Sequence, residues 1–193
     1  MIRNTAAGYG LVAIALHWAI ALLFIGQLVF GLVMVRIADQ RLSFDLIQWH
    51  KSFGFLLLGL VLVRLLWRLA NPRPDDPATL APWERIAART NHRLLYVLMF
   101  ALPLSGWALV SVSVLAIPTF AFYLVVIPHL PLEMSEAAED FWDETHELLA
   151  YIAIALVAVH VLASLRHHFW LRDDVLRRMI IPAGGRMRKK SGP

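Results

Sequence analysis

The chain has no cysteine among its 193 residues. That excludes disulfides, thiolate zinc sites, iron–sulfur clusters and thioether-linked haem. Charge is scarce too: 17% of residues are charged, against roughly a quarter in a soluble domain. Hydrophobic residues make up 59%, and the mean hydropathy is +0.63. A chain this short cannot hide that many apolar side chains in one core. An ordinary cytosolic protein, a disordered chain and a nucleic-acid-binding domain are excluded. The sequence pI of about 9.8 reflects basic residues that serve better as membrane-orientation signals. No internal repeat and no second domain is visible.

What is present is a set of long uncharged runs. Spanning the hydrocarbon core takes about 20 apolar residues. The run 4–35 is too long for a signal-peptide core and lacks a small-residue cleavage pattern, so it reads as a retained helix. The expected spans are 9–35, 47–69, 92–112 and 145–169. Arg64 and Arg68 end the second span, where long cationic side chains can reach the interface. The uncharged run 94–132 would be about 58 Å long as one helix, nearly twice the core thickness. With four spans and an internal N-terminus, fifteen Lys and Arg lie inside and three outside, as the positive-inside rule requires. A fifth span would export the basic C-terminal tail. Pro118, Pro128 and Pro131 also interrupt any helix beyond Ser111, which puts 117–132 in the outer interface.

The expected fold is therefore all-α: an integral membrane four-helix bundle, one domain over 1–182, with both termini cytoplasmic. A disordered basic tail follows over 183–193, where Arg188, Lys189 and Lys190 would favour the anionic inner leaflet. Four prolines make 71–82 an extended connector. Trp18, Trp49, Trp67, Trp107 and Trp170 fall near span ends, as aromatic belts do.

The chemistry lies in the eight histidines. His17 is eight residues into its span, about 12 Å from the inner edge. His160 sits at a similar depth on the returning fourth helix. His50 and His146 open the second and fourth helices at the outer side. His146 and His160 are 14 residues apart, which is about four turns and 21 Å on one helix face. Facing imidazoles on different helices of an apolar bundle suit a planar macrocycle with iron at its centre. Two such levels would make an electron path across the bilayer. A lone histidine near a span end is ordinarily an interfacial anchor, but His160 lies well inside a span, where an ionisable group is a functional candidate. Zinc or copper is disfavoured at the inner pair, which lacks nearby carboxylates and thiols. A proton relay would want Asp or Glu partners that the spans lack.

At these residues the chain resembles the bacterial cytochrome b561 family over roughly 9–182. The resemblance is carried by His17-Trp18, by His50-Lys51-Ser52-Phe53-Gly54, and by Asn91-His92-Arg93-Leu94-Leu95-Tyr96. It continues with Ala101-Leu102-Pro103-Leu104-Ser105-Gly106-Trp107, Thr145-His146-Glu147, His160, His167-His168-Phe169-Trp170 and Leu176-Arg177-Arg178-Met179. Each piece is weak alone; their order and spacing are specific. The resemblance implies a multi-pass bacterial inner-membrane protein with two b-type haems and electron exchange with quinone. Its axial ligands fall on His17 and His160 for the inner haem, and on His50 and His146 for the outer. Segment 112–127 departs from the family by being more apolar than its outer loop.

The resemblance further implies superoxide oxidation at the outer face, with the electron passing through both haems to ubiquinone. Lys51, beside His50, is the candidate for steering the superoxide anion, with Arg36 and Arg41 in the same loop. The acidic run Glu133–Glu147 opposes it. For quinone, which needs an apolar slot with hydrogen-bond donors near the inner haem, His167 is the first candidate, two turns beyond His160. His92 and Arg89 follow. His168 would meet lipid head groups, and His129 would be structural. The alternative function is an anchor and electron-relay subunit serving a partner dehydrogenase or hydrogenase, for which the apolar outer segment is the hint. A haem-free transporter is disfavoured, since no paired broken helices are evident.

Overall fold

The computed structural model describes residues 1–6, 8–77 and 80–183. Four long helices follow in order: α1 (Leu11–Met34), α2 (Gln40–Leu69), α3 (Pro82–Val112) and α4 (Glu136–Phe169). Each is long and apolar enough to cross a membrane. Helix α1 packs on α2, α2 on α3, and α3 on α4.

Three helices start earlier than the apolar runs indicate, at 40, 82 and 136 rather than 47, 92 and 145. Local caps explain this. Asp39 accepts from the Leu42 amide at 2.8 Å. Pro82 opens α3, and the Glu84 carboxylate accepts from the Ala81 amide. Ser135 accepts from the Ala138 amide. Capped first turns need no apolar face to be stable, so these helices extend beyond their apolar stretches. At 34 residues, α4 is about 51 Å long, well over the hydrocarbon thickness.

The interior inverts the soluble pattern. Gln27, Gln48, Ser52, Ser105 and Ser111 are buried, while Leu22, Leu62, Val97 and Leu162 are exposed. Such an outward apolar surface suits a lipid environment. Between the histidine levels lies an apolar layer centred on Ile20, Phe24, Leu57, Val61, Leu102 and Ala153.

Segment 117–132 forms a structure that its composition does not announce. Strands β1 (Thr119–Ala121) and β2 (Val125–Ile127) pair antiparallel, with Phe120 opposite Val126. Phe122 and Tyr123 take positive φ at the bend. Side chains of α2 pin this hairpin. Gln48 donates to the Pro118 carbonyl and accepts from the Phe120 amide. Ser52 accepts from the Phe122 amide at 2.8 Å.

The opposite end is closed by both termini. The Trp18 indole donates to the Met179 carbonyl at 2.7 Å, and the Ala183 amide donates to Tyr9. Gly10 is required there, since a Cβ at this position would lie 2.2 Å from the Ile2 carbonyl oxygen. Of the tail expected over 183–193, Ala183 is buried; residues 184–193 lie outside the described residues.

Candidate cofactor site

Two imidazole pairs stand at two levels of the bundle. Toward the hairpin, His50 from α2 faces His146 from α4, with ring centroids 6.4 Å apart and an interplanar angle of 88°. Toward the termini, His17 from α1 faces His160 from α4 at 6.3 Å and 68°. Both spacings suit a shared metal: metal–nitrogen bonds of about 2 Å put facing imidazole centroids roughly 6.3 Å apart. Among the described residues, no group of three or more His, Cys, Asp or Glu side chains converges for a metal. Two imidazoles alone would not hold a bare ion, whereas a tetrapyrrole would supply four nitrogens of its own and need only such a pair. The donor set thus fits haem.

Neighbouring residues shape the outer level. Ser105 Oγ donates to the Leu102 carbonyl at 2.9 Å and lies 2.9 Å from His146 Nδ1. The tautomer sets the direction of this bond: with Nδ1 protonated, His146 donates to Ser105 Oγ, whose own proton goes to the Leu102 carbonyl. That tautomer leaves the Nε2 lone pair free for iron, as a supporting hydrogen bond to a ligand histidine should. Gln27 donates to the His50 carbonyl at 2.7 Å, joining α1 to α2 at this level. Two glycines make room. A Cβ on Gly106 would lie 3.2 Å from His146 Cε1, and one on Gly31 would lie 3.3 Å from His50 Cε1. Gln27, Ser105, Gly31 and Gly106 were not singled out in the sequence as site residues. Ser105-Gly106 lies within a quoted family piece, and Gln27 is the one amide side chain in the first span.

Residues 8–181 match the profile of the prokaryotic cytochrome b561 family. The chain belongs to that family. It is 33% identical over 180 residues to cytochrome b561 homolog 2 of Escherichia coli (strain K12), covering 92% of this chain and 93% of the relative. To the probable superoxide oxidase CybB of Yersinia pestis it is 30% identical over 173 residues, 89% of this chain and 95% of the relative. Cytochrome b562 of Cereibacter sphaeroides is 29% identical over 181 residues, covering 91% and 96%. The protein is therefore a multi-pass bacterial membrane protein of an electron-transfer family for which haem b is the expected cofactor.

The remaining candidates separate. His92 lies against the His160 ring, with centroids 5.1 Å apart. His167 is buried, and its Nδ1 pairs with Asp173 at 2.6 Å. Arg89 is held by Asp76 at 2.5 Å on an exposed surface; this bond keeps the Asp76 carboxyl below its ordinary range. Lys51 opens on a cavity of about 430 Å³ that it shares with Ser113, Glu139, Asp140 and Asp143. Arg36 and Arg41 do not line it. His129 faces the Ile117 carbonyl within the outer segment, and the His168 ring lies against Phe169.

Proposed function

We propose that this cytochrome carries electrons across the membrane through two b haems, from superoxide at the outer face to ubiquinone at the inner. The observation that supports it best is the pair of facing imidazole couples, at 6.3 and 6.4 Å, near opposite ends of one bundle. His17 and His160 would hold the inner haem, and His50 and His146 the outer. The haems would supply reversible one-electron chemistry. The distribution of Lys and Arg supports a cytoplasmic side for both termini.

At the outer face, Lys51 is the cation beside His50 and faces the cavity through which a small anion would approach. Three carboxylates line the same cavity, so the local field there is a contest between one ammonium and Glu139, Asp140 and Asp143. Each superoxide that gives up one electron becomes dioxygen; two such electrons and two inner-side protons convert one ubiquinone to its quinol.

At the inner level, geometry favours His92 as the quinone-binding histidine, because it sits against His160. His167 and Arg89 already have carboxylate partners. His167 retains a place as a proton-carrying neighbour through Asp173.

A relay role for a partner dehydrogenase or hydrogenase is the second reading. The hairpin tip favours it, with Leu124 84% and Val125 60% exposed. Mixing purified protein with superoxide and a ubiquinone analogue tests the first reading. Haem reduction by superoxide followed by reoxidation by the quinone supports it. Haem that superoxide does not reduce contradicts it.

A further inference from the structure

Near the termini end of α2, three buried polar atoms have no protein partner: Arg64 Nη1, Trp67 Nε1 and Asn71 Oδ1. Arg64 and Trp67, three residues apart, lie on one face of α2, and Asn71 follows just past the end of the helix. Two of the three are N–H donors, and one belongs to a guanidinium that cannot shed its charge. The sequence suggests that Arg64 simply reaches the interface, yet its Nη1 is buried. Its Nε donates to the Tyr96 hydroxyl at 3.0 Å, and the Arg68 guanidinium lies 5.1 Å from the centre of the Tyr96 ring. Among the described residues, none of the ion pairs includes Arg64. A half-buried cation without a counter-ion carries part of the cost of an uncompensated charge. Arg64 is also within electrostatic reach of both His17 and His160.

A guanidinium and an indole N–H three residues apart on one helix, both without a partner, suit a carboxylate. Haem b carries two carboxylates on one edge. Resting on the inner haem proposed above, we propose that Arg64 and Trp67 form the binding site for its propionates, with Tyr96 fixing the orientation of Arg64. Arg64 then neutralises the haem edge and Trp67 adds a directed hydrogen bond. A lipid phosphate is the other anion that could meet these donors, and the test separates the two.

Haem release from the purified holoprotein to an excess haem-binding apoprotein reads the anchor directly. Arg64→Met should speed release of the His17–His160 haem on the order of 10- to 100-fold and leave the other haem unchanged. Its midpoint potential should fall, because losing a nearby positive charge favours the ferric form. Arg64→Lys should restore the potential but only part of the retention. Trp67→Phe should speed release to a smaller extent and leave the potential closer to wild type. The full chain loaded with haem dimethyl ester decides between anions. Wild type should lose the ester on the order of 10- to 100-fold faster than haem, Arg64→Met should show a much smaller difference, and Arg64→Met combined with Trp67→Phe should lose the two at equal rates. Equal retention of ester and haem by wild type overturns the proposal and leaves a lipid phosphate as the ligand. Discrimination that is undiminished in Arg64→Met also overturns it. A chain with no haem at the His17–His160 level refutes the underlying pair instead.

Discussion

His146 Nδ1 and Ser105 Oγ lie 2.9 Å apart, and the Ser105 proton is already committed to the Leu102 carbonyl. A serine on α3 therefore stands as the acceptor for a protonated Nδ1 on a candidate ligand of α4. Removing the hydroxyl takes away one hydrogen bond to the ring, a loss of about 1 kcal/mol. Ser105→Ala should weaken the outer haem on the order of 10- to 100-fold and leave the inner haem intact. Haem content and low-spin resonance signals check this; an unchanged outer signal would remove Ser105 from the site.

Gly31 and Gly106 should be intolerant for a steric reason. Alanine at either brings a Cβ to 3.3 or 3.2 Å from a candidate ligand ring, so the imidazole must shift by a few tenths of an ångström. Gly31→Ala and Gly106→Ala should alter the outer-haem spectrum alone. Gly26 and Gly59 have nothing within 4 Å of an added Cβ. Alanine there should be spectrally silent and stabilise its helix by up to about 1 kcal/mol.

The cavity beside Lys51 makes an electrostatic prediction of two signs. Lys51→Glu should slow haem reduction by superoxide, and Asp143→Asn should accelerate it. Both effects should shrink as salt rises, because exposed charges are screened over about 10 Å at 0.1 M. Rates measured by rapid mixing at low and high ionic strength decide it; salt-independent changes would rule out steering.

His92 and Arg89 should part in their kinetics. His92→Ala is expected to slow quinone reduction about 10-fold or more with both haems retained. Arg89→Ala should leave quinone kinetics unchanged while freeing Asp76. The Asp76 carboxyl is depressed mainly by the Arg89 hydrogen bond. Its stabilisation is therefore present above the ordinary carboxylate pKa and is lost as pH falls through the lowered one. The pair is solvent-accessible, so the effect is at most about 1 kcal/mol. Thermal unfolding across the acid range should show that increment in wild type and not in Asp76→Asn.

Helix number and the grouping of the histidines by level were legible because helix rise and the charge distribution convert sequence position into depth. Helix starts were less so: Asp39, Glu84 and Ser135 extend α2, α3 and α4 through caps that contribute nothing to an apolar run. The hairpin escaped because its strands have three residues each and are held by Gln48 and Ser52 about 70 positions away. Ser105 and Gln27 carry no periodic signal, since a single uncharged polar side chain in a span leaves its partner undefined. His167 and Arg89 looked available because their carboxylate partners, Asp173 and Asp76, lie in irregular segments.

Haem counting combined with electron paramagnetic resonance on wild type and His160→Ala bears most directly on the paired imidazoles. Wild type should hold two haems per chain, each with a low-spin bis-imidazole signal. His160→Ala should hold one, keeping the signal that belongs to His50 and His146. Two haems retained in the variant, or a wild type with fewer than two, would contradict the assignment.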